Sequence, residues 1–158
     1  MAQSKQQIKA SYPLPVYNYR VTVGSRTLGF SEVSGLSIEY ESVTYHHGFS
    51  FATGSKIIPG MRQPVKLTLK RGIITSEKDG NFLASWLQDA YANPFKTTKQ
   101  DIVIDLCDET GKPTVRWKVQ GALPVKLDAP TFDANSNDVA IETLELVAHD
   151  LKIEYNPK

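Results

Sequence analysis

The sequence predicts a mainly β protein: an antiparallel β-sandwich or barrel-like domain of about seven or eight strands, with one α-helix at about residues 80–91. Three observations carry this. Apolar and polar residues alternate with period two in successive stretches. The clearest is PVKLTLKRG at 64–72, where Val65, Leu67 and Leu69 share one side and Lys66, Thr68 and Lys70 the other. Turn formers separate these stretches. A single segment has helical spacing, with Phe82, Leu83, Trp86, Leu87, Ala90 and Tyr91 on one stripe.

Residues 1–11 are polar, lack an apolar period and read as a flexible N-terminal tail ahead of a single domain at 12–158. The prolines of YPLPV at 12–16 favour an extended lead into the first strand. There Tyr17, Tyr19, Val21 and Val23 alternate with Asn18, Arg20 and Thr22, and Gly24-Ser25 turns the chain into a second strand at 27–30. A third strand is expected where Leu36, Ile38 and Tyr40 alternate with Ser37, Glu39 and Glu41, with Gly35 marking a bulge or bend before it. Over 42–61 the pattern decays into an extended loop or arm with room for a short hairpin. Its Tyr45, Phe49 and Phe51 argue that something covers it.

Asp79 is placed to cap the helix and Pro94 to end it. Residues 101–107 and 114–120 read as a second hairpin around DETGKP, with Ile102, Ile104, Leu106, Val115, Trp117 and Val119 inward. Its outer faces oppose Asp101 and Asp105 to Arg116 and Lys118, a pattern for cross-strand ion pairs. Gly121, Pro124 and Pro130 then punctuate the chain. The last strands are 139–148 and 151–155. In the first of these the apolar phase shifts from Val139 and Ile141 to Leu144 and Leu146, requiring a bulge near Glu142 and Thr143 or a strand covered on both faces.

The 18 basic and 17 acidic side chains leave a formal net charge of +1, so bulk charge favours neither nucleic acid nor an anionic membrane. One cysteine, Cys107, allows no intramolecular disulfide and points to a reducing compartment. The N-terminus has no signal-peptide h-region and no apolar run is long enough to span a bilayer, so a soluble product made in the cytoplasm is expected. His46 and His47 point to opposite sides of an extended chain and, with His149 and Cys107, make no HxxxH or CxxC pair; no metal site or cofactor is expected.

There is no GxSxG elbow, Cys107 sits in an ordinary strand pattern, and the glycines at 24, 29 and 35 do not precede a helix, so no catalytic residue or phosphate cradle is assigned. Lys66, Lys70 and Arg71, with Lys56 and Arg62, could form a basic stripe, for which a solvated strand face is the commoner explanation. Trp86 and Trp117 read as core, and Glu39 and Glu41 share a face without a pocket. On these residues alone the chain is a non-enzymatic β domain. A monomeric, small-ligand-binding β-barrel is the alternative that the aromatic excursion supports, and a hydrolase using the three histidines is a third.

Six stretches in serial order carry a resemblance: YPLPVYNYRVTVG, FSEVSGLSIEYESVTYHHG, PGMRQPVKLTLKRG, FLASWL, DIVIDLCDETGKPTVRWKVQGALPVKL and NDVAIETLELVAHDLKIEY. Together they resemble the inner tail-tube protein of contractile phage tails and of phage-like extracellular contractile injection systems. The resemblance implies a structural subunit, not an enzyme. Homohexameric rings stack into a hollow tube, and sheath contraction drives the tube through a target envelope. The implied fold is a β-sandwich with one helix whose strands join across subunits into a barrel lining the lumen, as in the type VI secretion tube.

Implied partners are further copies of the chain, a sheath protein, baseplate and tube-initiator proteins, a tube terminator, and cargo in the lumen, either effector protein or DNA. No membrane insertion of the monomer is implied. Assembly would occur in the cytoplasm, into a virion tail or a particle that becomes extracellular or membrane-attached. The chain would be either the main tube or an initiator ring joining tube to baseplate. Closing a ring and stacking it need separate interfaces. Tyr45, His46, Phe49, Phe51 and Ile58 of the arm are the expected contacts to a neighbouring ring, with Phe30, Glu32, Val33 and Leu36 as a further contact region. Lys66, Thr68 and Lys70 are expected to face the lumen or an adjoining subunit.

Overall fold

The period-two alternation becomes ten strands in the computed structural model, which describes residues 5, 7, 11–76, 78–93, 95 and 98–158. One antiparallel sheet runs in the order β2 (Arg26–Leu28), β1 (Tyr19–Val23), β7 (Gln100–Cys107), the first half of β8 (Pro113–Asp128), and β10 (Asp150–Tyr155). A second is built from the other half of β8, then β9 (Ile141–Ala148), β6 (Val65–Gly72) and β3 (Glu32–Ser34). A separate hairpin pairs β4 (Tyr40–Tyr45) with β5 (Lys56–Arg62) and carries the short helix α1 (Ser50–Thr53) at its tip.

The two sheets face each other across one core. Val21, Val23, Ile102, Val119 and Leu151 from the first meet Val65, Leu67, Leu69, Leu144 and Leu146 from the second, all buried. Each such side chain contributes roughly 1.5–3 kcal/mol of burial. β6 behaves as its alternation requires: Val65, Leu67 and Leu69 face this core, and Lys66 on the opposite face is exposed. β8 passes from one sheet to the other at Gly121, whose φ of +65° bends the strand in a way that favours glycine. The corner is fastened by Gly121 N donating to an Asp101 carboxylate oxygen at 3.0 Å and His149 N donating to the Gln120 carbonyl at 3.0 Å.

Helix α2 (Phe82–Ala92) buries Leu83, Trp86 and Ala90, the middle of the predicted stripe. The Trp86 indole N–H donates to the Thr98 carbonyl at 2.7 Å, satisfying its one polar atom. Phe82 stacks on Trp86, and the Arg26 guanidinium lies 5.0 Å above the Phe82 ring. Arg71 ties the loop before the helix to β6. Its side chain is buried, with Nε donating to Glu142 at 2.5 Å and its terminal nitrogens to the Asp79 and Gly80 carbonyls at 3.0 and 2.9 Å.

Several sequence expectations are corrected. The strand expected at Leu36 to Tyr40 is absent: β3 precedes it at Glu32–Ser34, and the segment reaches strand geometry again at Tyr40. Gly35 is the bend, with φ +88° and a backbone so close that a Cβ would lie 2.0 Å from the Lys66 carbonyl oxygen. Asp79 is not the helix cap. Asn81 holds that position without a side-chain cap bond, and the Asp79 carboxylate lies 3.7 Å from Arg26. Pro94, expected to end the helix, and most of the 1–11 tail lie outside the described residues.

The hairpin strand expected to stop at 120 continues to Asp128, because Gly121 redirects it without ending it. β9 has no bulge near Glu142 and Thr143: its register with β6 is unbroken from Ala148 to Ile141, so Ile141 lies on the face opposite Leu144 and Leu146. The register shift lies in the partner strand, between Pro124 and Lys126 of β8. Arg71 leaves the proposed basic stripe, since burial and Glu142 account for it.

Replacing Arg71 by Leu strands Glu142 and two carbonyls. We expect about 3–5 kcal/mol lost in denaturant unfolding, with the transition still cooperative; an unchanged midpoint would show that the clamp is not structural.

Candidate functional site

The surface features that could serve assembly arise where the chain leaves residues unburied by its own core. The β4–β5 hairpin is exposed along nearly its whole length. Tyr45, Ile58, Ile57 and Met61 are exposed on it, and at the tip Phe49 and Phe51 are 70% and 88% exposed, stacked on each other with centroids 6.3 Å apart. Contiguous apolar exposure of this kind marks a contact surface. His46 is also exposed; the His47 ring packs by Tyr45 at 6.1 Å and its Nδ1 accepts from Phe49 N at 3.1 Å, shaping the tip.

The arm is anchored at its root. Arg62 ion-pairs with Asp150, donates to the Leu151 carbonyl at 2.9 Å and lies 5.7 Å above the Tyr40 ring. Gln63 N donates to the Glu39 carbonyl at 2.8 Å, and the Gln63 side chain donates to Glu41 at 2.5 Å. Arg62 is therefore a positioning residue for the arm, a role the sequence does not signal because Asp150 lies far along the chain.

Phe30, Val33 and Leu36 are partly buried and pack against the core. Val33 and Leu36, with Glu32, line one wall of an apolar cleft of 350 Å³ whose floor is Tyr19, Ile104, Leu106 and Trp117. These floor residues are the ones sequence reasoning assigned only to the core. The Tyr19 hydroxyl donates to the Phe30 carbonyl at 2.6 Å; burial and then the nearby Glu32 carboxylate push its phenol up, so it stays a donor.

Lys66, Thr68 and Lys70 share the outer face of the second sheet with Thr143, Glu145 and Val147 of β9 and Glu32 and Ser34 of β3, placed by register. Its charges are mixed: Lys70 pairs with Glu32 at 3.2 Å and Lys126 with Asp128 at 3.2 Å. On the outer face of the first sheet, Asp105 is buried and held by Arg116 at 2.6 and 3.2 Å and by Arg20 at 3.2 Å, the cross-strand pairing that the sequence pattern implies. Lys118 instead pairs with Glu154 of β10 at 2.7 Å, and Asp101 serves the corner. Among the described residues no group of three His, Cys, Asp or Glu side chains is placed to hold a metal ion, and no helix is long and apolar enough to cross a membrane.

Residues 15–152 match the family of the T4-like virus tail tube protein gp19. The chain belongs to this tail tube family. It is a structural tube subunit, not an enzyme. Solved structures agree. A chain of the PVC sheath–tube complex, an extracellular contractile injection system in the extended state, is 33% identical, with a TM-score of 0.84 over 98% of this chain and 99% of that one. A chain of the anti-feeding prophage tube-terminating cap is 32% identical (TM-score 0.78, 92% and 93% covered), and one of the PVC sheath/tube terminator 33% identical (TM-score 0.80, 91% and 98% covered). No curated protein matches.

Asp105 is expected to make the tube subunit's stability depend on pH. Burial alone would push its carboxyl up, but the hydrogen bonds and charges of Arg116 and Arg20 outweigh burial and hold it below the usual carboxylate range. A depressed folded pKa adds stability that is complete above the unfolded value, about 4, and is lost as pH falls through the folded one. Asp105→Asn is expected to cost roughly 1–3 kcal/mol at pH 7. The gap between wild type and variant should narrow as unfolding is measured at successively lower pH, and a pH-independent gap would refute the assignment.

Proposed function

We propose that this tube subunit closes into homohexameric rings that stack through the arm, forming a hollow conduit surrounded by a sheath and driven through a target envelope. The single observation that carries the stacking role is the arm itself. Tyr45, Phe49, Phe51 and Ile58 are exposed on a hairpin with no core of its own, and their burial against another copy supplies the apolar area that an interface requires. His46 at the base of the tip belongs to the same contact, and Phe30, Glu32, Val33 and Leu36 form the receiving side.

The outer face of the second sheet suits a lumen. Lys66, Thr68 and Lys70 alternate with the core residues of β6, and ion pairs to Glu32 and between Lys126 and Asp128 balance charge along the face. Such a face stays hydrated and does not hold passing cargo strongly. Cargo of either kind, effector protein or DNA, is compatible with it. Ring closure would join free sheet edges of neighbouring copies into a continuous barrel.

The sheath, terminator and baseplate are the other partners in this reading. Similarity to chains of a sheath–tube complex and of tube-terminating assemblies supports the sheath and the terminator. A particle assembled in the cytoplasm and then released, or a virion tail, is the setting it implies.

Replacing both Phe49 and Phe51 by Ser tests the arm. Because both are exposed, stability of the subunit should change by less than about 0.5 kcal/mol. Electron microscopy should show single rings or unassembled protein in place of tubes; normal tubes from this variant would show that the arm does not stack the rings.

A further inference from the structure

We propose that the arm tip of one copy seats Phe49 and Phe51 in the Tyr19–Trp117 cleft of a second copy. This rests on the tube reading and specifies where the arm lands. The cleft exists because β3, the edge of the second sheet, has only three residues and leaves part of the first sheet's apolar face uncovered. Tyr19, Leu106 and Trp117 are consequently only partly buried, between a wall formed by Val33 and Leu36 and open solvent.

The two surfaces match in chemistry. Among the residues lining the cleft, Glu32 is the one charged side chain, and it lies at the rim paired with Lys70. Between Glu41 and Lys56 the arm contains no Asp, Glu, Lys or Arg. An aromatic knob without Asp, Glu, Lys or Arg thus faces an aromatic-floored groove whose one charged side chain is already paired, and seating one in the other strands no charge.

The occupant is a second copy because the chain's own tip is held away. Arg62 fixes the arm root to Asp150, beside the Gly121 corner, and the six residues of β4 carry the tip about 20 Å outward. Phe51 is 88% exposed and so does not sit in its own cleft. A knob and a groove at different places on one subunit form a heterologous contact that repeats from copy to copy, as a stacked tube requires.

The test places a benzophenone photo-crosslinking amino acid at position 51 and dopes this variant into an excess of nitrogen-15-labelled wild-type protein, so that assembly does not depend on the altered residue. After irradiation of tubes, mass spectrometry should find the arm peptide joined to labelled peptides containing Leu36 or Trp117. Intact tubes with cross-links elsewhere, within one chain only, to the residues ahead of Ser11, or with none, overturn the cleft assignment and leave the tube reading standing. Absence of rings and tubes in the wild-type protein by electron microscopy overturns both.

Discussion

The architecture depends on a single strand serving two sheets. The first half of β8 lies between β7 and β10, and its second half pairs with β9. The bend at Gly121 therefore sets the angle and spacing of the two sheets, and with them the thickness of the core. Because β9 and β10 are separated by His149 alone, the chain crosses between sheets a second time at the same corner, where His149 N meets the Gln120 carbonyl. Hydrogen bonding on both sides of the bend leaves this corner little freedom to open, and the arm root is pinned to it through Arg62 and Asp150.

Seen from that corner, the exposed features have a common origin. The core is complete with the facing residues of the two sheets and the α2 stripe, so the β4–β5 hairpin has nothing left to pack on. In a protein that remained monomeric, Phe49, Phe51 and Met61 would be an aggregation liability. In the proposed tube the same residues would be the means of assembly, and the root held by Arg62 would give that contact a defined direction. The charged outer faces do the opposite. Their ion pairs hold polar residues in register and keep the sheet surfaces wet.

Much of this was legible in the chain itself. β6 and β7 are predicted almost to the residue, because strict alternation with one dry face leaves only one register that buries the leucines and isoleucines. The helix was legible through Trp86 and its stripe. The misplaced features share a cause: each depends on a partner distant in sequence. Asp79 looks like a cap, but its carboxylate lies beside Arg26 of β2. Leu36 to Tyr40 alternates like a strand, yet the bend at Gly35 withholds it from the ladder. Gly121 and Pro124 look like strand breakers, and only the second sheet explains why the strand continues. Of the candidate site, the arm was visible as aromatics without a place in the core, whereas the cleft was not, since Tyr19, Ile104, Leu106 and Trp117 come from three strands and read individually as core.

The central claim is that the arm's aromatic side chains, exposed in the subunit, become buried on assembly. Hydroxyl-radical footprinting of the free subunit and of purified tubes tests it most directly. The account predicts strong oxidation of Tyr45, Phe49 and Phe51 in the free subunit and marked protection of all three in the tube; equal oxidation in both states would contradict it.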